Sequence, residues 1–442
     1  MLRSIFFAAT VVVGSAAIAE NRIDTQLPNA PELAAYGSHT VGVRTLELTN
    51  PDQVDVLALD AMSEKPKTLP RYDRTLTVEI WYPTAQDAAG DTAVQAFLRD
   101  GKTKVTLTGQ AIRDAAASDE TYPLVVMSHG WPGNRFLLSH LAENIASKGY
   151  VVASIDHLES TYRTFQVSDQ YFASFGSTLV NRPQDQIFVI DAIEALAQDE
   201  NSFLSDLVNT SNSALVGYSM GGYGAIVNAG GSVTQTAVEL PFGARHGALS
   251  VHQRDSADYI TAPDPRVKTI VAIAPWGQTM GVWDSDTLKG ISIPTLFVAG
   301  SQDDVSGYES GVRKMWQNCV KSDRALLTFN HANHNAAAPI PVPSEALALD
   351  QANGSDISDH YMDAVWDTAR MNNILQHFVT AWLGQELKQE ADKAAYLDLI
   401  AESDAGVWSM GEDDKATAQH TYWKGFSKRW AKGLRFERLA AE

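Results

Sequence analysis

Across 442 residues the chain has a single cysteine, Cys319, so no internal disulfide can staple it. Its stability must come from a packed core, and Cys319 itself reads as a small buried hydrophobe. Positive charge is also scarce: 34 Lys and Arg stand against 53 Asp and Glu, for a formal net charge of -19. That balance argues against nucleic acid and anionic membrane surfaces as partners. Apolar runs long enough to span a bilayer are missing, and there is no internal repeat. No cysteine stands near a histidine pair, and His246, His252 and His360 are scattered, so neither a metal nor an organic cofactor is expected. What remains, 45% hydrophobic and 20% charged residues, is the composition of a globular protein with a sizeable core.

Residues 1–19 read as a secretory signal. Arg3 supplies the positive end, residues 5–13 the apolar stretch, and Ala17-Ile18-Ala19 a cleavage site before Glu20. The expected location is therefore secreted or periplasmic, with no stable membrane span after cleavage. Residues 20–442 are expected to form one domain, since large α/β enzymes often spend this length on a single core with insertions. The insertions fall near 158–181 and 231–265, followed by a C-terminal extension over 340–442. The two insertions follow strands, which assigns them to the rim of a substrate mouth. Nothing in the sequence sets an oligomeric state.

Residues 41–48 and 74–82 alternate apolar and polar, which predicts an antiparallel pair at a sheet edge. Residues 85–120 show weak periodicity and read as a loop with one short helix. From Tyr122 onward, apolar strands at 124–127, 150–155, 214–217, 267–273, 295–299 and 325–329 alternate with helices at 136–148, 185–197 and 220–228. That order predicts an α/β fold with a mostly parallel, doubly wound sheet. A last core helix is expected over 361–387. The basic aromatic stretch 421–442 is expected to pack on the acidic body rather than on lipid.

The chain is organised around Gly217-Tyr218-Ser219-Met220-Gly221, a G-x-S-x-G between a predicted strand and a predicted helix. The glycines are needed because a serine at a sharp strand-to-helix turn leaves no room for side chains two residues either side. Ser219 is the expected nucleophile, and it needs a base and an orienting acid. Gly300-Ser301-Gln302-Asp303-Asp304 follows one strand and delivers a carboxylate; Asp303 fits G-x-x-D, with Asp304 the alternative. Asn330-His331-Ala332-Asn333-His334 follows the next strand. His334 is favoured over His331 because the imidazole needs a few residues of loop to turn back.

Negative charge developing on the substrate oxygen needs preorganised amides. Met220 N–H is one expected donor. The other comes from His129-Gly130-Trp131, with Trp131 preferred and Gly130 the alternative. His129 is expected to be a structural hydrogen-bonding group under that loop. Trp131 and Trp276 are expected to form an apolar wall for the acyl group.

Taken together these segments resemble the α/β-hydrolases. More narrowly, they look like the predicted dienelactone hydrolases related to platelet-activating-factor acetylhydrolases. The pieces that carry the resemblance are Val41-Gly42-Val43, Glu79-Ile80-Trp81-Tyr82-Pro83, Ser128-His129-Gly130-Trp131, Arg182-Pro183-Gln184-Asp185, the elbow, the Gly300 turn and the His334 loop. The resemblance implies a second oxyanion donor just after the His-Gly pair, and short acyl esters, on phospholipids among others, as substrates. Dienelactone hydrolases proper resemble a smaller enzyme with a cysteine nucleophile, where this chain has Ser219. The expected function is an exported serine carboxylester hydrolase acting on a small-molecule or lipid-like ester. The alternatives are a phospholipid acyl hydrolase, a polyester hydrolase, a peptidase, or a non-catalytic binding protein on the same fold.

Overall fold

The computed structural model describes residues 20–85, 88–167 and 171–442, so the predicted signal at 1–19 lies outside the described residues. The strands in chain order are β1 (Asn21–Arg22), β2 (Val41–Val54), β3 (Arg71–Pro83), β4 (Ala93–Phe97), β5 (Lys104–Thr108) and β6 (Ile112–Arg113). They continue with β7 (Tyr122–Ser128), β8 (Val151–Asp156), β9 (Val208–Tyr218), β10 (Val267–Ile273), β11 (Thr295–Gly300), β12 (Arg324–Phe329) and β13 (Leu434–Leu439). Ten of them form one sheet in the order β13-β12-β11-β10-β9-β7-β8-β3-β2-β6.

The six strands from β12 to β8 are mutually parallel. β3 and β2 extend them antiparallel on one side, and β13 closes the other side antiparallel to β12. The parallel strands are apolar on both faces because both are covered. On β7, Val125 and Met127 join one core cluster, which includes Leu141, Phe378 and Trp382. Leu124 and Val126 join the other, with Val189, Tyr223 and Ile226. The predicted α/β class, the parallel core and the antiparallel N-terminal strands are therefore all present. Among the described residues no helix is long and apolar enough to cross a membrane.

Three local readings change. Residues 93–97 and 104–108, expected as loop, pair as β4 and β5, and with β1 make a separate three-stranded sheet. Val105 and Leu107 bury one face of it. The helix expected from 185 instead spans Tyr171–Ala197 and runs through Pro183. Proline removes the N–H that would bond the Leu179 carbonyl. Tyr223 Oη donates to that carbonyl instead at 3.0 Å, and Val180 O lies 2.8 Å from His252 Nε2. The gap is filled from other elements, so the helix continues.

The last core helix covers Thr368–Lys388 rather than starting at 361. Asp367 caps it by accepting Arg370 N–H at 2.8 Å. Just before it, Asp363 accepts the amides of Val365 and Trp366 and ties residues 362–366 into a loop. In the C-terminal stretch Tyr422, Trp423 and Phe426 are buried, and Arg313 pairs with Glu437 across β13.

Candidate active site

Ser219 sits between the end of β9 and the helix Met220–Asn228, at φ 53° and ψ -112°. This is the left-handed side of backbone space, where a non-glycine residue stores strain. Its N–H donates to Ile273 O at 2.8 Å, and its carbonyl accepts from Tyr223 N–H at 3.0 Å and Trp276 N–H at 3.2 Å, so the turn is over-determined. The glycine requirement is steric. A Cβ on Gly217 would lie 2.1 Å from Gly221 O, and one on Gly221 would lie 2.0 Å from Ser128 O.

β11 ends at Gly300, where a Cβ would meet Asn333 O at 2.2 Å, so the acid turn and the histidine loop pack backbone to backbone. Gln302 N–H donates to Ala332 O at 2.8 Å across that junction. The Asp303 carboxylate is fully buried. Its Oδ1 accepts the amides of Val305 at 3.0 Å and Ser306 at 2.7 Å, and both of its oxygens lie 3.0 Å from His334 Nδ1. His334 Nε2 lies 3.0 Å from Ser219 Oγ. Ser219, His334 and Asp303 thus form one hydrogen-bonded row. Asp304 and His331 are both exposed and outside it.

The Tyr218 ring packs 5.2 Å from the His334 ring, and its hydroxyl donates to Asn335 Oδ1 at 3.1 Å. Burial, with the Asp303 charge nearby, raises the Tyr218 phenol well above its usual value, so it stays a neutral donor. Met220 opens its helix, so its N–H has no partner within the helix and stands beside Ser219. Gly130 packs against the elbow: a Cβ there would lie 3.3 Å from Ser219 Cβ. Trp131 follows it and lines the same cavity as Ser219.

The cavity holds about 520 Å³. Beside Ser219 and His334 its walls come from Arg99, Trp131, Asp304, Val305 and the segment 359–364. Residues 231–265, expected at the mouth, are absent from the wall. Within that insertion His252 is fully buried under the long helix, and His246 Nε2 lies 3.0 Å from Met62 O. The described residues of the other insertion back the wall: Tyr171 and Phe175 pack on Trp131 at 4.8 Å and 5.0 Å between ring centroids, and Tyr162 bonds to the lining residue His360. Trp276 is one layer further back, 8% exposed, with its ring 5.2 Å from Phe175.

Residues 361–364 of this segment fall within what reads from sequence as a helix over 361–387, but the structure has there the end of the 3-10 helix Ile357–Tyr361 and an irregular stretch. Asp363, which also accepts Asn333 N–H at 2.7 Å, was the available signal. Within the 3-10 helix His360 Nε2 lies 2.7 Å from Tyr162 Oη, and burial pulls its imidazole down to about 3, so it is neutral.

Residues 36–202 match the family described as platelet-activating factor acetylhydrolase, isoform II, a stretch that ends before the elbow. The chain is 21% identical over 220 residues to cutinase est1 of Thermobifida alba, covering 49% of this chain and 55% of that enzyme. Identity to cutinase 2 of Thermobifida cellulosilytica is also 21% over 220 residues, covering 49% of this chain and 62% of the relative. The chain thus spans little more than half the length of these relatives. A solved ferulic acid esterase from Streptomyces cinnamoneus superposes with a TM-score of 0.52 at 18% identity, over 82% of this chain and 94% of that one. The chain thus has an α/β-hydrolase fold, and its similarities fall among esterases.

Proposed function

We propose that the chain is a serine carboxylic ester hydrolase. The observation that carries this reading is His334, bonded at 3.0 Å to Ser219 Oγ on one nitrogen and to the buried Asp303 on the other. Asp303 holds the proton on Nδ1, which leaves Nε2 free to take the Ser219 proton as Oγ attacks the ester carbonyl. The oxyanion meets the N–H groups of Met220 and Trp131. The protonated His334 then gives its proton to the departing alkoxide, leaving an acyl-Ser219. Water, activated by the same imidazole, attacks that acyl group, releases the acid and restores Ser219. Residues 20–442 act as one catalytic unit, and the signal-like 1–19 marks it for export to the periplasm or beyond.

Short to medium acyl esters are the expected substrates. The cutinase similarity favours a second reading, hydrolysis of a polymeric ester. The test is hydrolysis of p-nitrophenyl acetate, butyrate and decanoate by the protein and by Ser219→Ala, followed by a polyester film. Turnover that disappears in the variant supports the serine mechanism. Turnover that survives removes Ser219 as the nucleophile. Failure of a fluorophosphonate to label the folded protein favours a binding role instead.

A further inference from the structure

Beneath the oxyanion loop lies a sealed polar cluster that the mechanism above does not use. His129 is fully buried. The backbone N–H of His157 donates to His129 Nε2 at 3.2 Å, so that nitrogen is an acceptor and carries no proton. Burial, reinforced by the adjacent Arg182 guanidinium, holds this imidazole well below its usual range, so it is neutral and its one proton is on Nδ1. His129 Nδ1 lies 2.6 Å from the carbonyl oxygen of Gly130 and donates to it. Gly130 and Trp131 are joined by a trans peptide, in which C=O and N–H point in opposite directions. Clamping the carbonyl toward His129 therefore turns the Trp131 N–H away from it. Gly130 packs on Ser219 Cβ, and Trp131 lines the Ser219 cavity.

We propose that His129 is a positioning residue of the oxyanion site, its Nδ1–H holding the Gly130 carbonyl so that the Trp131 N–H faces the oxygen at Ser219. This rests on the serine esterase reading above. The surrounding groups fix the clamp. Arg182 donates to the carbonyl of His129 and, at 2.6 Å, to Ser160 Oγ. His157 is itself held at both nitrogens, with Nε2 2.8 Å from Ser128 Oγ and Nδ1 2.8 Å from Asp185 Oδ2. Arg74 bridges Asp185 and Glu159 with four charge-assisted bonds. Ser128, His157 and Asp185 repeat the connectivity of the catalytic row, but Ser128 has no exposed surface and no substrate can reach it. Two arginines balance two carboxylates, so both imidazoles stay neutral and each tautomer is dictated by its neighbours. Gly133 completes the fit, since a Cβ there would lie 2.5 Å from His129 Nδ1.

Asparagine and leucine have nearly the same shape, but only asparagine places an N–H donor where His129 Nδ1 stands. Both lose the Nε2 acceptor, so their difference isolates the clamp. His129→Leu is expected to lower kcat for p-nitrophenyl butyrate about 10²-fold, the loss expected when an oxyanion donor is misdirected, with KM within about threefold. His129→Asn is expected to recover at least tenfold of that loss. Equal kcat values for the two variants, or a change confined to KM, would overturn the proposal. If His129→Leu does not fold, ¹⁵N-histidine NMR of the unsubstituted protein decides, with the His129 signal assigned from its absence in His129→Asn. A neutral ring protonated at Nδ1 supports the clamp, and one protonated at Nε2 ends it. Ser219→Ala run alongside separates the two claims: turnover independent of Ser219 removes the esterase mechanism and the clamp with it. Ser219-dependent turnover that is indifferent to His129 removes only the clamp.

Discussion

Replacing Asp303 by asparagine alters no shape but reverses a hydrogen-bond direction. Oδ1 of Asp303 receives the amides of Val305 and Ser306, so the asparagine oxygen must stay at that position. Its NH₂ then takes the place of Oδ2, 3.0 Å from His334 Nδ1, and presents donors to it. His334 answers by accepting at Nδ1 and carrying its proton on Nε2, where it faces Ser219 Oγ and cannot take a second one. The expected loss in kcat is about 10³–10⁴-fold, or roughly 4–5 kcal/mol of transition-state stabilisation. Asp304, exposed at the cavity edge, touches neither His334 nor Ser219, so Asp304→Asn should stay within about threefold of the parent. The assay is initial-rate hydrolysis of p-nitrophenyl butyrate, with circular dichroism to show that both variants are folded. A reversed ranking, or an Asp303→Asn enzyme keeping more than a tenth of parental kcat, would refute the assignment of the acid.

Burial depresses the imidazoles of His129, His140, His157, His252, His360 and His377, to about 4 for His140 and His252 and about 3 for His360 and His377. Each stays neutral in the folded chain while the unfolded chain takes up a proton below about pH 6.5, so stability is full above that value and falls as pH drops. At pH 5 each such histidine lowers stability by about 2 kcal/mol; Glu143, Asp156 and Glu386, whose carboxyls burial raises, act oppositely but are fewer. Calorimetry should give a Tm that is level from pH 7 to 8.5 and drops steeply below 6.5, and a level Tm down to pH 5 would count against it. Tyr223→Phe should lower stability by about 1–2 kcal/mol, read as a shift in urea midpoint, because the Leu179 carbonyl opposite Pro183 loses its donor. Gly221→Ala should abolish fluorophosphonate labelling and lower stability by several kcal/mol, since the added methyl falls 2.0 Å from the backbone oxygen of Ser128 on the neighbouring strand.

The elbow and the parallel core were legible from the sequence because both are short-range. Gly217 answers a clash with the carbonyl of Gly221 four residues on, and the strands are uniform apolar runs because both sheet faces are covered. The acid and the histidine were legible as classes of position, since each follows a strand that ends at the same sheet edge. Which aspartate and which histidine join the row was a tertiary matter. Ser219 and His334 are 115 positions apart, and Asp303 is distinguished from Asp304 only by the amides that turn it inward.

Long-range partners also decided what the sequence reading missed. Helical periodicity overrode the Asp363 and Asp367 signals, so part of a cavity wall, residues 361–364, was read as the start of the helix. Pro183 looked like a helix start because proline breaks local hydrogen bonding. Tyr223, distant in sequence, supplies the missing bond. The composition and spacing of this chain thus determined its class of fold and the place of Ser219 at a strand-to-helix elbow. The partners of Ser219, the shape of its cavity and the tautomers beneath the Gly130 loop were decided by packing, because each depends on atoms that only the folded chain brings within 3 Å or so.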